Sequence, residues 1–235
     1  MITLLAWIYL MNMGAHSTMN MGAPDDGGLT LLATSILMWS VMMVAMMLPS
    51  ATPMILTYTK IRQQQESKGM LTVPTGFFIA GYLSIWLGFA VVAALMQWGL
   101  HQSALLNAMK GQVVPSLGGI FLIIAGLFQF SGLKQICLSK CRSPLSFLMT
   151  EWRGGVSGAF LMGVRHGAFC TGCCWALMLL MFVGGVMQLL WMAGLTLYFL
   201  GEKLLPWAQQ VSRVVGSFLV IAGLFILLPL ELLHL

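Results

Sequence analysis

Charge is what this chain has least of. It carries 6 acidic and 11 basic side chains, 7% of its 235 residues, where a soluble domain has about 25%. A chain so poor in charge cannot cover its own surface against water, so a soluble globule is excluded and lipid becomes the solvent the composition calls for. With only 6 acidic residues, a mechanism built on paired carboxylates has almost nothing to use. There is no H-E-x-x-H, no G-x-S-x-G, no phosphate loop and no dinucleotide fingerprint, and no reaction is assigned. The net charge of +5 is scattered over short segments rather than gathered in blocks, which argues against nucleic acid as a partner. The 5 cysteines are an odd number, and none falls on a segment expected to face outward. An extracellular disulfide framework is therefore excluded.

What the chain has instead is apolar length: 59% hydrophobic residues and a mean hydropathy of +0.93. The runs predict an all-α polytopic membrane helix bundle, a single transmembrane domain over 1–235 with about six transmembrane helices of ~20 residues each. These are expected near 29–57, 73–98, 115–133, 157–187, 188–205 and 212–233. Met1 to Met13 reads as a short extra N-terminal helix rather than a signal peptide, having neither a basic n-region nor a clear cleavage site. The fourth run is too long for one simple crossing, and its glycines (154, 155, 158, 163 and 167) predict a first part that re-enters or lies at the interface.

Orientation follows from the basic residues. Lys60, Arg62 and Lys68 follow the first span, Lys134, Lys140, Arg142 and Arg153 the third, and Lys203 and Arg213 the fifth. By the positive-inside rule, loops 59–72, 134–153 and 201–213 are cytoplasmic in a cell inner membrane. The segment 14–28 then faces outward. Gly76, Ala80, Ser84 and Gly88 form a small-residue stripe expected to admit a neighbouring helix. Segments 119–128 and 216–225 match at eight of ten positions and should run in opposite directions, as an inverted repeat would.

Unusual side chains concentrate at Arg165-His166-Gly-Ala-Phe-Cys170-Thr-Gly-Cys173-Cys174-Trp-Ala-Leu-Met178. Residues four apart share a helix face, so Met162, His166, Cys170, Cys174 and Met178 line up with Cys173 at the edge. Imidazole, thiolate and thioether form a soft ligand set suited first to copper(I), then to zinc; the plain alternative is packing with no metal, since free Cys is a small hydrophobe. In the first span Met38, Met42 and Met46 share a face, and Pro49 and Pro53 should bend the helix end and free backbone carbonyls. Such a stripe either packs or hands on a soft ion. Cys137 and Cys141 pair on a short basic segment, which in the cytosol reads as metal or redox chemistry rather than a structural disulfide. Met11, Met13, His16, Met19 and Met21 space soft donors on the outer segment. Glu202 either anchors its span or pairs with Arg165.

Three of these segments, Met43-Val-Ala-Met46-Met47-Leu-Pro49, Leu133 to Pro144, and His166 to Met178 with its Gly172-Cys173-Cys174-Trp175 element, resemble a family of predicted metal-binding multi-pass membrane proteins, domain-of-unknown-function family 2182. Glu202-Lys203 fits the same pattern. The resemblance implies a membrane protein that binds a metal and leaves the metal's identity open. Together the readings point to copper handling, transport or delivery. His166, Cys170, Cys173 and Cys174 are the candidate ligands, Met178, Met42 or Met46 complete the set, and Cys137 and Cys141 receive the ion. The bilayer is the first partner, with a metallochaperone or a metal-receiving membrane enzyme as a second. Two other readings stay open. One is a thiol-disulfide oxidoreductase using Cys170 and Cys173; the other is a metal-free accessory subunit of a larger membrane complex.

Overall fold

The computed structural model describes residues 2–17, 28–70, 72–107, 112–186 and 188–228. The side chain of His16, residues Met19 and Met21 of the expected outer segment, Lys110 and His234 lie outside the described residues. In chain order the elements are α1 (Ile2–Ser17), α2 (Gly28–Glu66), α3 (Thr75–Gln102), a two-residue antiparallel pair β1 (Leu106–Asn107) and β2 (Gln112–Val113), α4 (Pro115–Gln129), α5 (Gly132–Arg142) and α6 (Pro144–Glu151). Then follow α7 (Gly155–Met178), α8 (Leu180–Gly184), α9 (Leu189–Leu204) and α10 (Ala208–Leu227).

Among the described residues, four helical stretches are long and apolar enough to cross a membrane: Leu32–Glu66, Thr75–Gln102, Gly155–Gly184 and Ala208–Leu227. Helices α4 and α5, bent by 65° at a short break, make a fifth if counted as one broken span. The run expected at 188–205 forms α9, whose 16 residues fall short of the ~20 that span a bilayer. On α10 the outward face is apolar and exposed, with Val214, Phe218, Ile221 and Phe225 all more than 60% accessible. Lipid is the natural neighbour for such a face.

Two helix pairs are built by glycine. Where α3 and α7 run parallel, a Cβ on Gly163 would lie 2.0 Å from the Phe78 carbonyl oxygen, and one on Gly81 2.1 Å from that of Phe160. These close approaches explain why α7 continues as one helix through the glycines expected to interrupt it: the missing side chains are spent on packing. The predicted stripe is not the contact face, for Gly76 and Gly88 have nothing within 4 Å of a Cβ position. The face that carries Gly81 packs instead.

Helices α4 and α10, the two segments that match in sequence, pack antiparallel on each other. Gly119 meets the Gly223 backbone and Gly126 meets that of Gly216. Because 119 corresponds to 216 and 126 to 223 in the match, the contacts exchange equivalent positions, as a local two-fold axis requires.

Helix α2 runs on through Pro49 and Pro53 to Glu66, so the prolines do not break it. A proline at 49 removes the amide that would bond the carbonyl four residues earlier. That carbonyl, on Ala45, accepts instead from the Trp7 indole at 3.2 Å. The first short helix thus supplies the donor that the proline withholds. The segments expected as cytoplasmic loops are also largely helical: α2 reaches Glu66, and 134–153 folds into most of α5 and α6.

Candidate functional site

On α7 the thiols of Cys170, Cys173 and Cys174 are buried, all free, within one turn and a half. Cys173 and Cys174 each donate to the Cys170 carbonyl at 3.0 Å. This i, i+3, i+4 convergence is what the sequence spacing predicted.

The short helix α5 brings the other two cysteines to the same place. Ser131 caps it, its side chain accepting from the Lys134 amide at 3.2 Å, and Lys134, Cys137, Leu138 and Cys141 make its buried stripe. Cys141 lies beside Cys170 and Cys173, near enough to interact with both. Cys137 comes so close to α7 that a Cβ on Gly172 would lie 2.9 Å from its sulfur. Gly172, inside the Gly-Cys-Cys-Trp element, therefore leaves the room that a thiol from α5 fills. Five cysteines that sequence assigns to two sites form one cluster.

Three polar residues complete this cluster. Lys203, at the end of α9, donates to the Cys170 sulfur at 3.1 Å and to Ser50 Oγ of α2 at 2.9 Å. Tyr82 of α3 lies 3.3 Å from the same sulfur and donates to the Met47 carbonyl at 3.0 Å. Met42, Met43, Met46 and Met47 are all buried on α2 in the core that also holds the five cysteines, and Met178 is buried one turn beyond Cys174. The methionine stripe thus ends against the hydroxyl that touches Cys170. Tyr82 and Ser50 left no mark in the sequence. Lys203 did, as a charge on an otherwise apolar run.

The preceding residue points elsewhere. Glu202 does not pair with Arg165; it takes Lys134 at 2.6 Å, Tyr198 at 2.6 Å and Ser212 at 2.5 Å. Gln129 bonds both Lys134 and the Tyr198 hydroxyl. Both charges are buried, and the surrounding donors satisfy the carboxylate, as a buried pair requires. Arg165 bonds Glu151 of α6 instead, while Glu202 is held by Lys134 of α5 and Ser212 of α10. Adjacent residues on α9 thereby join two clusters: Glu202 the α4–α5–α10 side, Lys203 the thiols.

His166 makes no hydrogen bond to the thiols. It is 1% exposed, and neither ring nitrogen has a hydrogen-bond partner. The rings of Tyr82, Phe147 and Phe78 surround it, with centroids at 5.5, 5.6 and 6.2 Å. Tyr82 touches both, its ring against the imidazole and its hydroxyl against Cys170.

Among the described residues no group of three or more His, Cys, Asp or Glu is arranged to hold a metal ion. The thiols are turned toward helix carbonyls and toward each other. Soft donors are nonetheless dense, with five buried cysteines and the methionines of α2 in one core. The donor set fits a soft ion in chemistry, and its geometry is that of free thiols.

A family model described as copper chaperone, PpoB2, matches residues 36–226. The match takes in the methionine stripe, both cysteine segments and Lys203. No curated protein and no solved structure matches the chain.

Proposed function

This chain belongs to the copper chaperone family PpoB2, and we propose that it carries copper(I) as cargo on the thiol cluster of α5 and α7 within a cell inner membrane. The observation that carries this reading is the meeting of Cys141 with Cys170 and Cys173 beside the Lys203 ammonium. Copper(I) prefers thiolate, and two or three thiolates on one monovalent ion leave net negative charge. Lys203 is the counter-cation that makes such a complex tolerable away from water. His166, Met178 and the Met42–Met46 stripe supply softer, neutral donors along the approach. Delivery then runs from the outward segment past Met42 and Met46 to the cysteines, with loops 59–72, 134–153 and 201–213 on the cytoplasmic side. The recipient is a metallochaperone or a membrane enzyme that takes up the ion.

The test is retention against competition. Protein loaded with copper(I) without oxygen is dialysed against a strong copper(I) chelator, beside a Cys170→Ser/Cys173→Ser/Cys174→Ser variant. About one copper per chain kept by the wild type, as one thiolate-bound soft ion requires, and none by the variant supports the proposal. A wild type stripped bare overturns it.

One observation favours a second reading: a thiol of α5 lies beside two thiols of α7, and among the described residues no group of them is arranged around a common point. As a thiol oxidoreductase the protein would join Cys141 to Cys170 or Cys173, between helices rather than within one. A reversible loss of two hydrogens at that pair, seen by peptide mass after mild oxidation, together with a stripped wild type, would select this reading.

A further inference from the structure

A histidine buried to 1% with both nitrogens unpaired is an exception that calls for a cause, because buried polar groups are almost always bonded. Its surroundings contain no hydrogen-bond donor or acceptor that reaches it. Two buried thioethers belong to the same part of the core. Met162 precedes His166 by one turn on the same face of α7, and Met162 and Met54 of α2 share one buried cluster with Phe78 and Phe147, two of the rings that enclose the imidazole.

From this juxtaposition we infer that His166, Met162 and Met54 form a second copper(I) station, separate from the thiol cluster. The inference rests on the copper reading above and adds a site to it. Its chemistry differs from that of the thiols. One imidazole and two thioethers are neutral, so the ion keeps its single positive charge when bound. Glu151 of α6 is no counter-ion for it, being taken by Arg165. The faces of Tyr82 and Phe78, stacked on the imidazole, supply cation–π attraction in place of a carboxylate. Such a station binds more weakly than thiolates and releases readily, which suits an ion in transit. Tyr82 touches both stations, stacked on the imidazole with its ring and 3.3 Å from Cys170 with its hydroxyl.

The experiment uses the full chain in detergent, loaded with excess copper(I) alone and desalted without a competing chelator. The Cys170→Ser/Cys173→Ser/Cys174→Ser variant is expected to keep about one copper per chain, with nitrogen and thioether sulfur as its neighbours in copper-edge X-ray absorption. Adding Met54→Leu and Met162→Leu, which preserve volume, should lower that copper by about tenfold or more, as His166→Phe should. If His166→Phe does not fold, the leucine pair decides. No copper in the serine variant overturns the second station, and so does copper that persists after the leucine substitutions. Both results differ from failure of the thiol site, which is read from the wild type under the strong chelator.

Discussion

The Lys203 ammonium lies 3.1 Å from the sulfur of Cys170, although the two residues come from different helices and from different parts of the sequence. It brings a fixed positive charge to the most crowded thiol of the cluster. If several thiolates take one copper(I), that charge offsets their excess.

Lys203→Met should therefore weaken copper retention. A charge-assisted hydrogen bond is worth about 1.5–3 kcal/mol, so the chelator concentration that strips half the copper is expected to fall by about tenfold or more. Lys203→Arg should restore part of it. Equal retention in wild type and Lys203→Met would remove Lys203 from the site.

The buried pair of Lys134 and Glu202 makes a prediction about stability. Removing one partner from a buried pair strands the other, at a cost of about 3–5 kcal/mol. Glu202→Gln is expected to lower the melting temperature in detergent sharply, whereas Lys134→Met with Glu202→Met should lower it less than the single change. A single variant that melts with the wild type would mean that the pair is solvated.

The two prolines of α2 allow a double substitution test. Trp7→Phe deletes the donor to the Ala45 carbonyl, leaving it unpaired at about 1–3 kcal/mol. In a Pro49→Ala background the helix amide returns to that carbonyl, and Trp7→Phe should then cost clearly less. Equal losses of melting temperature in both backgrounds would refute the compensation.

Glycine packing separates the predicted contact face from the real one. A Cβ at residue 126 would meet the Gly216 oxygen at 2.7 Å, and backbone cannot step aside as a side chain can. Gly126→Ala is expected to cost about 1–3 kcal/mol by overpacking. Gly76→Ala and Gly88→Ala, with open space around them, should stay near the wild-type melting temperature.

Much of the site was legible before any fold was known, for a local reason. Cys170, Cys173 and Cys174 meet because a helix brings i, i+3 and i+4 together, and spacing alone encodes that. The same periodicity aligned Met42 with Met46, and the match between 119–128 and 216–225 marked a pair that packs. Pro49 shows where such reading ends. Its freed carbonyl was foreseeable, but its donor, Trp7, lies 38 residues away, and no periodicity links the two.

By itself, then, the sequence determined the apolar composition, the helical class and the thiol stripe of α7, because composition and local periodicity need no knowledge of distant neighbours. Tertiary structure decided that Cys137 and Cys141 belong to that stripe, that Glu202 takes Lys134 rather than Arg165, that Lys203 serves Cys170, and that His166 sits in an aromatic enclosure of its own. Each of those depends on which helix lies against which, and on the 65° bend between α4 and α5 that folds a basic segment back onto α7. Contacts of that kind are fixed by packing over long separations in the chain, where the one-dimensional pattern carries almost no record.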